Sequence, residues 1–91
     1  MKDIVYIKKG EISQRPLGNE LMLYDKASDK IHVLNETGAI LWNLLDGSKS
    51  ISDLENAIAV QFKNIPLDQV ATDTRELLEN LVKEKLIIEA Q

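Results

Sequence analysis

The apolar pattern of this chain changes its period once, at residue 35. Up to Leu34 the apolar residues fall in short runs that alternate side to side. From Glu36 onward they recur every third or fourth position. A block of strands followed by a block of helices is the order of an α+β domain. At 91 residues the chain is long enough for one domain and too short for two, so residues 1–91 are taken as a single unit.

The first block contains "IVYIKKG" (4–10), "ELMLYD" (20–25) and "KIHVL" (30–34). All three are rich in strand formers. "ISQRPLGN" and "KASD" separate them and carry the Pro, Gly, Asn, Ser and Asp of connections. The expectation is a three-stranded antiparallel sheet over about 4–34, with the second and third runs joined as a hairpin. Leu21 and Leu23 then share one face, and Met22 and Tyr24 the other. Apolar groups on both faces are a first hint of a groove left unfilled.

"LNETGAILWNLLDG" (34–47) opens the helical block. Asn35 is a favoured N-cap, Glu36 puts a carboxylate at the positive end of the dipole, and Gly47 suits the left-handed residue that ends a helix. Trp42, Leu41 and Leu45 belong to the core. Ser50 and Asp53 have capping-box spacing before a second helix, and "NIPLD" breaks that helix before Asp68 caps a third. The expected helices are about 36–46, 51–63 and 68–85. In the last, Val70, Thr74, Leu77, Leu78, Leu81 and Val82 share a face, and Asp73, Glu76, Asn80 and Lys83 take the other.

Composition narrows the function. Without cysteine there are no disulfides, thiolate metal sites or cysteine nucleophiles, and one histidine, His32, does not make a metal centre. No cofactor is expected. The amino terminus lacks the apolar run of about 7 to 15 residues of a signal peptide, and no window approaches the roughly 20 needed to span a bilayer. A cytoplasmic location and no membrane partner are the expectation. The carboxylates stand in no motif with a nucleophile, a phosphate loop or a metal partner, so an enzyme is not expected.

Two binding readings remain. The order of strands, helix, turn and helices suits a winged helix-turn-helix, the architecture of many nucleic-acid regulators. A net charge of −4 and an acidic last helix lack the basic stripe that phosphates need, so no nucleic-acid partner is expected, although the regulator stands as the alternative. The other reading is a peptide binder. Were "KIHVL" a sheet edge beside the last helix, an extended peptide would complete it as a further strand. The same edge is equally well covered by the chain's own amino-terminal strand, and the sequence leaves both arrangements open.

The segment "ELMLYDKASDKIHVLNETGAILWNLLDGSKSISDLENAIAVQF" with the later "DTRELLENLVKEKLI" resembles the pyrroloquinoline-quinone biosynthesis protein D (PqqD) family, also called the RiPP recognition element. Leu34, Asn35, Thr37, Gly38, Trp42, Leu45, Asp46 and Gly47 stand in the family's order and spacing. Lys85 departs from it, standing where many members have glycine. The resemblance implies a small winged-helix protein of three strands and three helices, acting as a peptide chaperone without catalysis. Its partners would be the leader of a ribosomally made precursor peptide and a modifying enzyme, commonly a radical S-adenosylmethionine enzyme, as in PQQ biosynthesis. By position the pairing edge would be Lys30, Ile31, His32, Val33 and Leu34. From the last helix, Arg75 and Glu79 would meet leader charges, and Leu78 and Val82 would line an apolar pocket, although both also suit the core.

Overall fold

A computed structural model describes residues 4–90. The elements run β1 (Val5–Lys8), β2 (Ile12–Leu17), β3 (Glu20–Asp25), β4 (Lys30–Leu34), α1 (Glu36–Leu44), α2 (Ile51–Gln61), α3 (Leu67–Lys83) and β5 (Ile87–Ala90). The α+β order holds, with a three-stranded antiparallel sheet followed by three helices. The membership of that sheet differs from the expectation. Its order is β2-β3-β4, and β1 leaves it to pair antiparallel with β5.

The segment read as a connection, "ISQRPLGN", is therefore mostly strand β2. Proline and polar residues disguise it because it is an edge, exposed along nearly its whole length. Gly18, at φ 63°, occupies the first central position of the two-residue turn into β3, the glycine position of a type II′ hairpin.

That turn fixes which backbone groups point where. A two-residue hairpin closes on a hydrogen-bonded pair, here Leu17 and Glu20, and bonded pairs alternate from there. Pro16 and Leu21 then form a non-bonded pair, so the nitrogen of Pro16 faces the outer edge of β2, where no donor is needed. On β3 the inward-bonding residues toward β4 are Leu21, Leu23 and Asp25, opposite Leu34, His32 and Lys30. The N–H and C=O groups of Ile31 and Val33 consequently point away from the sheet.

The helices cover one face of it. Leu21, Leu23 and Leu34 from the sheet pack with Leu41 and Trp42 of α1, Leu54 and Ile58 of α2, and Leu78 and Leu81 of α3. The Trp42 indole N–H donates to Gln14 Oε1 on β2 at 3.0 Å, and Lys8 Nζ of β1 lies 4.9 Å from its ring centroid.

Caps follow the sequence with two shifts. Asn35 Oδ1 accepts from the Gly38 amide at 2.9 Å, and Ser50 with Asp53 closes a reciprocal capping box. α1 ends at Leu44, ahead of Gly47, which has a φ of 86° in the following turn. α3 starts at Leu67 with Pro66 in the cap position, so Asp68 lies in the first turn instead of capping it.

At the end of α3 the Leu86 amide donates to Leu81 O and the Lys85 amide to Val82 O. These two bonds make a Schellman motif with Lys85 at the left-handed position, φ 61°. A side chain there costs roughly 1 to 2 kcal/mol. Lys85→Gly is therefore expected to raise stability by about 1 kcal/mol, a gain readable as a higher urea midpoint at unchanged slope.

Asp25, at the end of β3, is buried beneath the β3–β4 turn. Burial pushes its carboxyl up, but the Ser28 hydroxyl, the Ala27 amide and the Lys9 ammonium at 3.4 Å more than reverse this and hold it below the usual carboxylate value. Asp46 is depressed further by Lys49, then by the Ser48 hydroxyl and amide. For both groups the folded pKa is below the unfolded one. The stabilisation they bring is complete above about pH 4 and is lost as pH falls through the folded values. Urea midpoints measured between pH 2 and 6 should fall on the acid side, and Asp25→Asn should flatten that fall.

Candidate peptide-binding groove

Three elements build the site. β4 brings an unpaired backbone edge: among the described residues, no strand pairs with its outer side. Of the two arrangements left open by the sequence, the covered edge is excluded, because the amino-terminal strand β1 is engaged along Val5–Lys8 with Ile87–Ala90 of β5. The side chains of Ile31 and Val33 are 63% and 54% exposed on the face of the sheet away from the helices. His32 and Leu34 point to the helical side, Leu34 buried and His32 partly so, with His32 Nε2 enclosed and unpartnered.

The second element is the start of α1, directly after β4. Gly38 is buried there, and a Cβ on it would stand 3.0 Å from Leu34 Cβ and 3.6 Å from Leu77 Cδ2. The absence of a side chain lets β4, α1 and α3 converge. The capping of Gly38 by Asn35 holds this junction in place.

α3 forms the third element. Between it and the α1 start lies a cleft of about 230 Å³, lined by Asn35, Thr37, Asp73, Glu76, Leu77 and Asn80. That volume is below the roughly 300 Å³ at which small-molecule pockets begin. Its shape suits one or two side chains of a longer chain.

The turn of α3 separates the residues expected to act together. At 100° per residue, Leu77, Asp73, Asn80 and Glu76 lie on one flank of the buried Thr74–Leu78–Leu81 line, and Val82, Arg75 and Glu79 on the other. Arg75 Nε donates to Glu55 Oε2 of α2 at 3.0 Å. Tyr6 of β1 also feels this flank: burial raises its pKa, Glu89 and Glu79 add to the rise, and Arg75 opposes it. Arg75, Glu79 and Val82 thus face α2 and the β1–β5 ribbon, Leu78 is core, and none of the four lines the cleft. The cleft residues Asp73, Glu76 and Asn80 look like a solvated face in sequence, and only the position of α1 makes them the wall of a cleft.

Among the described residues no three His, Cys, Asp or Glu side chains converge as a metal site would require, and no helix is long and apolar enough to cross a membrane.

No curated protein matches the chain. Two solved structures share its fold. TbiB1 in complex with the TbiA(beta) leader peptide superposes with a TM-score of 0.78 at 20% identity, over 89% of this chain and 93% of that one. Lasso peptide synthetase B1 complexed with the leader peptide gives 0.78 at 19% identity, over 91% and 96%. The family described as coenzyme PQQ synthesis protein D (PqqD) matches residues 20–87, from the first residue of β3 to the first of β5. With most of its length, and with the sheet edge, the α1 junction and α3 inside that match, the chain belongs to the PqqD family.

Proposed function

We propose that the chain is a non-catalytic recognition domain that binds the leader of a ribosomally made precursor peptide as an added strand on β4. It then presents that peptide to a modifying enzyme, of the radical S-adenosylmethionine class, in cofactor or modified-peptide biosynthesis. The observation that carries the reading is the outward backbone of Ile31 and Val33 beside a cleft of side-chain size. Two proteins of the same fold are complexed with leader peptides, which supports it.

In this reading Lys30 to Leu34 supply the pairing edge. On α3 the flank of Asp73, Glu76, Leu77 and Asn80 takes the role first given to Arg75, Leu78, Glu79 and Val82. Main-chain bonds contribute about 0.5 to 1.5 kcal/mol each, and an apolar anchor roughly 1.5 to 3 kcal/mol. After the ordering of a disordered leader, dissociation constants from about nanomolar to low micromolar follow. The nucleic-acid alternative gains nothing from this geometry, since the cleft flank of α3 carries Asp73 and Glu76, which repel phosphates.

Titrating the ¹⁵N-labelled protein with synthetic leaders of candidate precursor peptides tests the proposal. The expected shifts are largest at Ile31, Val33, Asn35, Thr37 and Leu77. Shifts confined to α2 or the β1–β5 ribbon would refute strand addition.

A further inference from the structure

We infer that the groove selects by charge: the strand it accepts carries a lysine or arginine on its helix-facing side near the end of β4, and apolar residues on its opposite side. This rests on strand addition at β4 and adds the chemistry of the partner.

The cleft end of the groove is acidic and unneutralised. Asp73 and Glu76 line it, and Glu36 lies in the adjoining first turn of α1. Among the described residues the ion pairs are Lys9–Asp25, Lys49–Asp46 and Arg75–Glu55, none of which reaches these carboxylates. Arg75 is the only arginine on α3, and it is turned toward α2. A bound strand would bring an acidic side chain here against two like charges.

The apolar surface beside the carboxylates sets which cation fits. Leu77, half-buried in the cleft wall, offers a surface for the methylenes of a long side chain, whose charged end then reaches Asp73 and Glu76. Asn35 Oδ1 is held at the start of α1 by the Gly38 amide, on the side of the cleft away from the α3 carboxylates. The positive pole of α1 disfavours a cation immediately over Thr37, which assigns the ammonium or guanidinium to the α3 side of the cleft.

The alternation of a strand dictates the rest. A residue next to the helix-facing cation projects to the other face of the sheet, beside Ile31 and Val33, with Met22 and Tyr24 on the same face of β3. Apolar or β-branched residues at those positions would cover a surface that the folded chain leaves in water. The partner is thus an amphipathic strand, basic on one side and apolar on the other.

The test uses a display library of random twelve-residue peptides, selected in parallel on the wild-type protein and on the Asp73→Lys/Glu76→Lys variant. Wild type should enrich Lys and Arg flanked by apolar residues, and the variant should enrich Asp and Glu at the same position. Changing that lysine to glutamate in one selected peptide should weaken binding to wild type roughly 5- to 10-fold and restore it on the variant. Both substituted residues are exposed; should the double charge reversal fail to fold, Asp73→Asn/Glu76→Gln should erase the preference instead. Peptides that shift the Ile31 and Val33 amides but show equal charge composition on both proteins overturn charge selection and leave strand addition standing. Binders that shift no β4 amide, or no enrichment at all, overturn strand addition itself.

Discussion

Trp42→Ala is expected to cost about 3 to 5 kcal/mol, the usual loss for truncating a buried tryptophan. A chain of this size holds roughly 5 to 14 kcal/mol in all. At about 4 °C or more of melting temperature per kcal/mol, the midpoint should fall by at least about 12 °C. The ring is 1% exposed, and its position explains the weight placed on it. It fills the core from α1, ties β2 through the Gln14 bond, and underlies the Lys8 ammonium of β1. One side chain therefore fastens the first sheet, the helical layer and the β1–β5 ribbon. Burial lowers the pKa of Lys8, and Asp46 partly offsets this. Trp42→Phe keeps most of the buried area and should lose clearly less than alanine. A thermal or urea melt in which alanine costs under about 1 kcal/mol would contradict the core described above.

The helices were legible because their signals are local. Asn35, Ser50 and Asp53 are caps whose partners lie three residues away, and the stripe of α3 needs only its own spacing. Even the departure at Lys85 was visible, and the structure explains it: the chain takes the left-handed turn with a lysine and tolerates the strain. The sheet was less legible because its edge strand β2 is exposed on both faces and so shows no alternation. β2 reads as a linker since only Ile12 is even partly buried, and the pairing of β1 with β5 joins residues about eighty positions apart. Nothing in "IVYIKKG" names a partner at the far end of the chain. A free backbone edge at Lys30 to Leu34 was one of two arrangements that "KIHVL" allowed, and the resemblance pointed to the same strand. The helical flank did not follow. Asp73, Glu76 and Asn80 differ from Arg75 and Glu79 only in which side of α3 they occupy. That side acquires meaning once α1 packs against Leu77 through the bare Cα of Gly38.

Val33→Pro is expected to abolish most leader binding while leaving the domain folded. The register assigns the Val33 N–H to the outer edge, so a proline there removes no bond of the β3–β4 ladder. It removes a donor that an incoming strand would use, and the ring holds that strand away from its neighbours. Loss of one or two such bonds, each about 0.5 to 1.5 kcal/mol, weakens affinity by roughly 2- to 150-fold, and the steric effect of the ring adds to it. His32→Pro is the opposite case: its N–H faces β3, and the substitution should break the hairpin and lower the melting temperature sharply. Calorimetric titration with the leader, beside circular dichroism of each variant, separates the two effects. Hydrogen exchange gives a second measure that needs no substitution. In the unbound protein the Ile31 and Val33 amides should exchange fast and those of His32 and Leu34 slowly, whereas in the complex all four should be protected. A folded Val33→Pro protein with undiminished affinity, or Ile31 and Val33 amides that gain no protection on binding, would mean that the leader does not extend this sheet.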